Sequence, residues 1–411
     1  MPTLRIKYRT FDGFERTLKT QAAHFSSLHP GVKFDFSHAG PEDLYREMVV
    51  QEGVKTGDFD LMLLQSDWLP ELMAKSGLIC LEEFLASAPP EDWPSAWSES
   101  LLGLQRDSYG KVYALPYHDG PAVMHYRTDL FGNLAEQALF KRQFGRELRV
   151  PETWSDLVEV AKFFTRPPER LYGVIIAGEN DGHNTVYDFY LQLWSRGGTL
   201  LGPGGQPQFD SGIGQEALQF YVDLVTRMNV TAPQTLGYDS VKAGEAYARG
   251  EGAMMLNWMG FMAVAESPPS AVIGKTRVTG LPRGDGPQGK KTSLVTYWLL
   301  AICSGSKQPD LAWAFLQETA SSEMDRVTAT QGGVGVRTST WNDPALRTRY
   351  QYYQVMEEIH AIAQFLPAIP TYPLLNDIIN RMSWDAVQQQ KTVAGALRDA
   401  AEEWRQVLKT D

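Results

Sequence analysis

The 411-residue chain lacks several features that would assign it to a common functional class. Two cysteines, Cys80 and Cys303, are too few for a disulfide framework or a zinc cage, and both stand beside apolar runs that favour buried thiols. No stretch approaches the ~20 apolar residues of a membrane-spanning helix. The net charge of −11 offers no basic surplus for phosphate groups, so nucleic acid is not an expected partner.

An export signal is also missing from the start of the sequence. Residues 1–11 lead directly into a predicted strand, without a charged segment followed by an apolar one. We therefore expect either an intracellular protein or a mature exported form whose signal has been removed.

Catalytic and cofactor motifs are missing too. Residues 284–290 have the spacing of a phosphate-binding loop, but Lys291 stands where Ser or Thr would hold magnesium, and a strand follows. The seven histidines are scattered, no serine lies in a nucleophile elbow, and neither cysteine neighbours a base. We expect no cofactor, no metal and no catalysis. A carbohydrate-active enzyme using a carboxylate pair such as Asp67 and Asp119 is the alternative.

Strands and helices alternate in the first part of the chain. Apolar periodicity predicts strands at residues 4–8, 32–37 and 59–64, with helices between them at 14–28 and 42–54. This alternation is typical of a mainly parallel α/β sheet. The length allows two or three domains.

Polar segments follow the predicted strands at residues 10–13, 38–40, 65–68 and 118–120. Ligands of parallel α/β sheets bind beyond the carboxyl ends of the strands, so these segments are expected to contribute to one site. The last segment separates two predicted strands, at 111–117 and 123–127. We interpret this stretch as a crossing between two lobes; an edge hairpin is the alternative.

Tryptophans are abundant at the predicted strand ends. Of the eleven in the chain, Trp68, Trp258 and Trp298 fall at or just beyond a strand terminus, beside residues such as Asp67 and Asn257. Aromatic faces pack against the C–H faces of a sugar ring, while carboxylates and amides bond its hydroxyls. The pattern favours a carbohydrate site, although each ring could instead fill a core.

Six segments in order resemble known sequence hallmarks: residues 110–131, 150–154 (VPETW), 197–224, 244–258, 295–321 and 332–337 (GGVGVR). Because of these six segments, the chain resembles the extracellular solute-binding proteins of bacterial ABC importers, in the carbohydrate-binding family to which maltose-binding protein belongs. The resemblance implies an α/β, two-lobed periplasmic-binding-protein fold of type II, with a ligand cleft between lobes that hinge strands join. It implies a lobe one at residues 1–116 and 277–320, and a lobe two at 120–273 and 324–411.

The function implied by the resemblance is solute binding rather than catalysis. The protein would act in the periplasm or outside the cell, as a monomer. It would bind a sugar, polyol or small glycoside, close by hinge motion and deliver it to the permease subunits of an ABC importer. An anionic solute such as glycerol phosphate or a sulfonated sugar is the alternative, which would need two or more basic groups at the site.

Position by position, the resemblance implies ligand contacts on loops after strands. The predicted contacts are Phe11, Asp12, His38, Gln65, Asp67, Trp68, His118, Asp119, Asn257, Trp258, Thr296, Tyr297 and Arg337, with Glu179, Asn180 and Trp298 as weaker candidates. The family often carries Gly-Gly where this chain has Thr296-Tyr297, which implies a smaller or differently shaped ligand. It also often carries proline where Gly335 stands.

Overall fold

Strands and helices alternate along most of the chain in the computed structural model, which describes residues 1–107 and 109–410. Ser108 and Asp411, which fall in the predicted lobes one and two, lie outside the described residues. The strands are β1 Thr3–Arg9, β2 Lys33–Ala39, β3 Leu61–Gln65, β4 Leu115–His118, β5 Ala122–Arg127, β6 Tyr172–Ile176, β7 Gly252–Trp258, β8 Thr276–Thr279, β9 Ser293–Leu294, β10 Trp298–Ile302 and β11 Ala363–Gln364.

The helices range from single turns to the long C-terminal pair. They are α1 Asp12–Leu28, α2 Pro41–Tyr45, α3 Leu69–Ala74, α4 Glu82–Ser87, α5 Glu99–Leu102, α6 Thr128–Phe131, α7 Leu134–Phe144, α8 Trp154–Phe164, α9 Asn184–Ser195, α10 Gly212–Thr226, α11 Ser240–Ala248, α12 Met262–Ala265, α13 Pro309–Thr319, α14 Ser322–Thr330, α15 Thr338–Trp341, α16 Pro344–Arg349, α17 Met356–Ala361, α18 Tyr372–Val387 and α19 Val393–Thr410.

The chain divides into two compact units. Unit 1 comprises Met1–Pro121, Val295–Ala361 and Phe365–Tyr372, and unit 2 comprises Ala122–Leu294, Ile362–Gln364 and Pro373–Asp411. Besides residues 120–121, three stretches therefore differ from the predicted lobes: 277–294, 324–361 and 365–372. Residues 277–294 belong with unit 2 because β8 pairs with β5. Residues 324–361 belong with unit 1 because α14 packs on α1. At this contact the Gln21 amide donates a hydrogen bond to the Met324 carbonyl at 3.2 Å.

The sheet of unit 1 has the strand order β2-β1-β3-β10-β4. Strands β1, β2 and β3 run parallel, and β10 runs antiparallel to both of its neighbours. The carboxyl ends of β1 to β4 therefore meet the amino end of β10 at one edge. The continuous apolar run Leu61 to Leu64 is fully buried, as expected of a central strand covered on both faces.

The sheet of unit 2 has the strand order β6-β7-β5-β8. Helix α8 packs directly on β6 at Gly173, where a side-chain Cβ would come within 2.1 Å of the Ala161 carbonyl oxygen. Helix α11 covers β7 through Ala246 and Tyr247, which join Ile175 and Met255 in the core. This sheet holds the ends of β5 and β7 in place, and the pocket described below forms there.

Three predicted elements differ from the observed ones. The predicted helix at 42–54 ends early, because Glu52 adopts a left-handed backbone with φ of 56° after a wide turn at Arg46–Val50. The strand at 111–117 begins only at Leu115, because the Asp107 carboxylate accepts the backbone N–H of Tyr109 and of Lys111 and holds a turn there. The apolar run at 294–302, whose pattern predicts a single strand, is split into β9 and β10 where the chain passes between units.

The two cysteines are free thiols in different surroundings. Cys303 is fully buried, and burial raises the pKa of its thiol. Cys80 is only half-buried, so the expectation of two buried thiols is wrong for this residue. Across residues 1–107 and 109–410, the helices are all too short or too polar to cross a membrane.

Candidate functional site

Six of the predicted contact residues gather at one edge of the unit 1 sheet. In the strand pairing, Trp298 at the start of β10 stands opposite Gln65 at the end of β3 and His118 at the end of β4. His38, near the end of β2, is opposite Tyr8 of β1. We call the following residues the strand-end cluster: Phe11, His38, Gln65, Trp68, His118 and Trp298.

Ring contacts connect part of the strand-end cluster. The edge of Phe14 meets the His118 ring at 4.9 Å and the Trp298 ring at 5.6 Å, and Phe11 packs on Phe14 at 5.1 Å. Trp298 and Trp68 pack edge to face at 5.8 Å. Trp68 and Trp298 are each 5% exposed, so they provide the floor of this surface more than a free stacking face.

His118 is the polar group in the strand-end cluster whose state the structure defines. Burial lowers the pKa of its imidazole to about 4, against the opposing charge of Asp119, so the ring is neutral at pH 7. Its Nδ1 accepts the Val334 N–H at 2.8 Å, which assigns the hydrogen to Nε2. His118 can therefore donate one hydrogen bond to an oxygen acceptor.

The other polar side chains near this edge differ in their exposure to solvent. The Gln65 Oε1 atom is buried and accepts no hydrogen bond among the described residues. His38 is exposed, with Nδ1 3.0 Å from the Thr10 hydroxyl. Asp12 is exposed in the first turn of α1, and Asp67 lies in the one-turn helix Ser66–Trp68.

Asp119, another predicted contact, is enclosed by bonds within the protein. Its side chain is fully buried, Oδ2 accepts from His360 Nε2 at 2.6 Å, and Oδ1 accepts from the Gly120 N–H at 2.8 Å. His360 Nδ1 in turn lies 2.7 Å from the Ser100 hydroxyl. The carboxylate pair proposed for an enzyme, Asp67 with Asp119, therefore loses one member.

Tyr297 and Arg337 are also core residues rather than the predicted contacts. Tyr297 is 1% exposed and its hydroxyl donates to the Leu101 carbonyl. Arg337 is 1% exposed, and its guanidinium donates to the Ala320 carbonyl at 2.7 Å. Thr296 is buried as well. The ligand size inferred from Thr296-Tyr297 stays a prediction, and the enclosed Tyr297 side chain adds nothing to it.

A pocket within unit 2 lies where β5 begins and β7 ends. It is lined by Ala122, Ala177, Asn184, Tyr187, Asp188, Leu191, Leu256, Asn257, Trp258 and Leu281. Four of these residues come from α9 at positions i, i+3, i+4 and i+7, which places them on one face of the helix. The predicted residues Asn257 and Trp258 both lie in this lining.

The aromatic wall of the pocket is formed by Trp258 and Tyr187, whose rings meet edge to face at 5.7 Å. Trp258 is half-buried, in contrast to the buried Trp68 and Trp298 of the strand-end cluster. Leu191, Leu256 and Leu281 complete the apolar part of the lining. An aromatic and aliphatic wall with few polar groups is typical of a small-molecule site.

Both amides in the lining are already engaged. Asn257 Nδ2 donates to the Ser240 carbonyl at 2.9 Å, and its Oδ1 accepts the Trp258 N–H at 2.8 Å. Asn184 Oδ1 accepts from the Ser240 hydroxyl at 2.8 Å, and its Nδ2 donates to Asp181. These bonds hold the wall in shape and leave the amides little capacity for a ligand.

Asp188 is the ionisable acid of the lining, and sequence reasoning missed it. Burial, with a further contribution from the charge of Asp181, raises the pKa of its carboxyl to about 8. The residue lies four positions after Asn184 on α9, just beyond the carboxyl end of β6. A polar stripe at helical spacing after a strand was the signal that could have identified it.

The weaker candidates Glu179 and Asn180 do not line this pocket. Glu179 accepts from Lys242 Nζ at 2.8 Å, and Asn180 is exposed. Glu179 therefore forms a surface ion pair with Lys242.

The sequence of this chain is similar to those of known transport proteins. The sequence profile of a family described as bacterial extracellular solute-binding proteins matches residues 12–325. A mannitol-binding protein of Pseudomonas aeruginosa is 24% identical over 389 residues, which cover 92% of this chain and 83% of the relative. A probable ABC transporter-binding protein of Deinococcus radiodurans is 23% identical over 350 residues, covering 84% and 73%.

Solved structures of similar fold cover nearly the whole chain. An ABC transporter solute-binding protein of Agrobacterium radiobacter in complex with ribitol has a TM-score of 0.86 and 24% identity, covering 99% of this chain and 98% of its own. Maltose-bound MalE3 of T. maritima has a TM-score of 0.85 and 22% identity, covering 99% and 100%. These likenesses confirm the predicted two-lobed α/β fold class.

Proposed function

Since the chain belongs to the family of bacterial extracellular solute-binding proteins, we propose that it binds a sugar, polyol or small glycoside for an ABC importer. It delivers this solute to the membrane permease subunits and performs no catalysis. It acts outside the cytoplasm, as a monomer. The names of the mannitol-binding relative and of the ribitol-bound structure support the ligand class.

The observation that carries the proposal is the pocket of unit 2. The half-buried Trp258 and the Tyr187 ring provide a wall suited to the C–H face of a sugar or the carbon chain of a polyol. Asp188 beside them provides hydrogen bonding for hydroxyl groups. The apolar wall and the Asp188 carboxyl group both lie where one face of α9 meets the end of β7. Selective recognition of hydroxyl groups requires such polar groups beside an apolar surface.

The strand-end cluster of unit 1 offers complementary groups. His118 Nε2 can donate a hydrogen bond, and the buried Gln65 Oε1 can accept one. A buried acceptor left without a partner costs about 1–3 kcal/mol, which a ligand hydroxyl group would recover. We propose that Gln65 and His118 contact the ligand.

The anionic alternative has lost the basic residue on which it depended. Arg337 was the cation expected at the site, and it is enclosed in unit 1. The lining of the unit 2 pocket contains no Lys, Arg or His. A phosphate or sulfonate would therefore meet a carboxyl group there, so we retain the neutral solute.

Thermal unfolding against a panel of hexoses, disaccharides, hexitols, pentitols and sugar phosphates tests the proposal. A ligand at 100-fold over its dissociation constant should stabilise by about 2.7 kcal/mol, which raises the midpoint of a chain this size by a few degrees. We expect a shift with one sugar or polyol class. A shift confined to sugar phosphates, or none with any member, would contradict the proposal.

Replacing Trp258 by alanine should weaken binding of the ligand found in that panel by about 10- to 100-fold, or ~1.4–2.7 kcal/mol, because the wall of the pocket is lost. The matched control is Trp384→Ala, which removes another half-buried tryptophan of unit 2 that does not line the pocket. Isothermal titration calorimetry gives both affinities. Equal losses in the two variants would mean that Trp258 acts through folding and not through ligand contact.

A further inference from the structure

The unit 2 pocket presents one carboxyl group and no cation to its ligand. Asn184 and Asn257 are held by Ser240 and Asp181, as described above, so Asp188 is the polar side chain with capacity to spare. No described residue donates a hydrogen bond to the Asp188 carboxyl or forms an ion pair with it. This group is therefore available to a ligand in the pocket.

The groups that act on Asp188 all disfavour a negative charge there. Asp181, in the loop before α9, contributes a second carboxylate. Tyr221 on α10 is buried, with a hydroxyl that has no partner among the described residues, and the charges of Asp188 and Asp181 add to the burial that raises its pKa. The pocket residues from β5, from β7 and from the segment after β8 are all uncharged: Ala122, Leu256, Asn257, Trp258 and Leu281.

We propose that Asp188 determines the ligand class of the pocket: as a neutral carboxylic acid, it donates a hydrogen bond to one ligand hydroxyl group and accepts one from another. This inference rests on the proposed function and names the chemistry of that site. The ligand portion in the pocket is uncharged and rich in hydroxyl groups. A phosphate, sulfonate or carboxylate at this position is rejected, because the lining would offer it one acidic side chain and no base.

The pH dependence of binding follows from this role. Burial and Asp181 raise the pKa of Asp188 to about 8, so the donating form is present at pH 7 and is lost as the pH rises through 8. Above that pH, affinity falls by up to about tenfold per pH unit if only the neutral form binds. A cationic ligand, such as an amino sugar, would require the opposite: it would pair with the carboxylate, and its affinity would rise toward pH 8.

The experiment is calorimetric titration between pH 6 and 9.5 with four probes. Two are neutral, the hexitol D-mannitol and the sugar maltose; the others are the amine 1-amino-1-deoxy-D-mannitol and the anion mannitol 1-phosphate. We expect a neutral probe to bind the wild-type protein with nearly constant affinity up to about pH 7 and about 30-fold more weakly at pH 9.5. Asp188→Asn keeps one donor and one acceptor without ionising, so its profile should be flat. Asp188→Leu should lose binding at every pH.

Glu402→Gln is the matched control, because Glu402 is an exposed acid of the same unit on α19 and should keep the wild-type profile. Carbon-13 NMR of the aspartate carboxyls provides a readout without ligand: one resonance should titrate near pH 8 and be missing in Asp188→Asn. Titration of that resonance below pH 5, or affinity for a neutral probe that is unchanged up to pH 9.5, would overturn the inference alone. Preference for the amine would overturn it as well. If no neutral probe binds, the proposed function fails too.

Discussion

Replacing Asp119 by alanine is expected to lower the free energy of unfolding by several kcal/mol, since two buried donors lose their acceptor at a cost of about 1–3 kcal/mol each. Asp119 is fully buried, and its two oxygens accept from His360 Nε2 at 2.6 Å and from the Gly120 N–H at 2.8 Å. His360 is itself 8% exposed, stacks on Trp341 at 4.6 Å and bonds Ser100. Loss of the Asp119 carboxylate would leave the hydrogen bonds of this buried network incomplete.

Urea denaturation followed by fluorescence measures the effect, with Asp35→Ala as a control because Asp35 is an exposed aspartate of the same unit. The control should change stability by less than about 0.5 kcal/mol. His360→Ala and the double variant complete a cycle, and the double variant should cost less than the sum of the two single ones. Additive losses would contradict a direct interaction. Weaker ligand binding by the fully folded Asp119 variant would restore its predicted role as a contact.

Replacing Arg337 by alanine should cost a similar amount, about 3–5 kcal/mol, because the guanidinium joins three parts of unit 1. Nη1 donates to the Glu91 carbonyl at 3.0 Å and to the Ala320 carbonyl at 2.7 Å, and the guanidinium lies 4.9 Å from the Trp97 ring centroid. The carbonyl groups would lose donors in a site that is 1% exposed. Lysine should restore little, since one ammonium cannot reproduce the planar fork or the stacking.

Arg46→Ala is the comparison for that experiment, because Arg46 belongs to an exposed pair with Asp43 in the same unit. Exposed ion pairs contribute about 0–1 kcal/mol, so this variant should unfold at nearly the wild-type urea concentration. The Arg337 variant should also bind the ligand with unchanged affinity wherever it is folded. A large loss of affinity with little loss of stability would instead show that Arg337 contacts the ligand.

Much of the fold can be predicted because local periodicity and burial agree. The alternation of β1 and the amphipathic spacing of α1 are both visible in the sequence, and the apolar run at 61–64 by itself indicates a central strand. The boundaries that failed depend on single side chains, such as the Asp107 carboxylate that holds a turn where a strand was expected. Hydrophobic pattern carries no information about such a bond.

The candidate site was only partly predictable. Strand-end position placed His118, Trp258 and Asn257 on the surfaces where the structure has them, because topology brings the ends of neighbouring strands together. It did not distinguish them from Tyr297, which stands directly before β10 and is buried. Asp188 was missed because it belongs to a helix face and no loop motif marks it.

The sequence by itself determined the family, the α/β class and the general positions of the polar segments, since these depend on residue order and on periodicities that span a few residues. Only the tertiary structure decided which polar side chains remain available to a ligand. Asp119 and Asp188 are both acidic residues, yet Asp119 is hydrogen-bonded to His360, whereas Asp188 lines a pocket without a partner among the described residues. The difference lies in contacts between residues 241 positions apart in sequence, which no local pattern encodes.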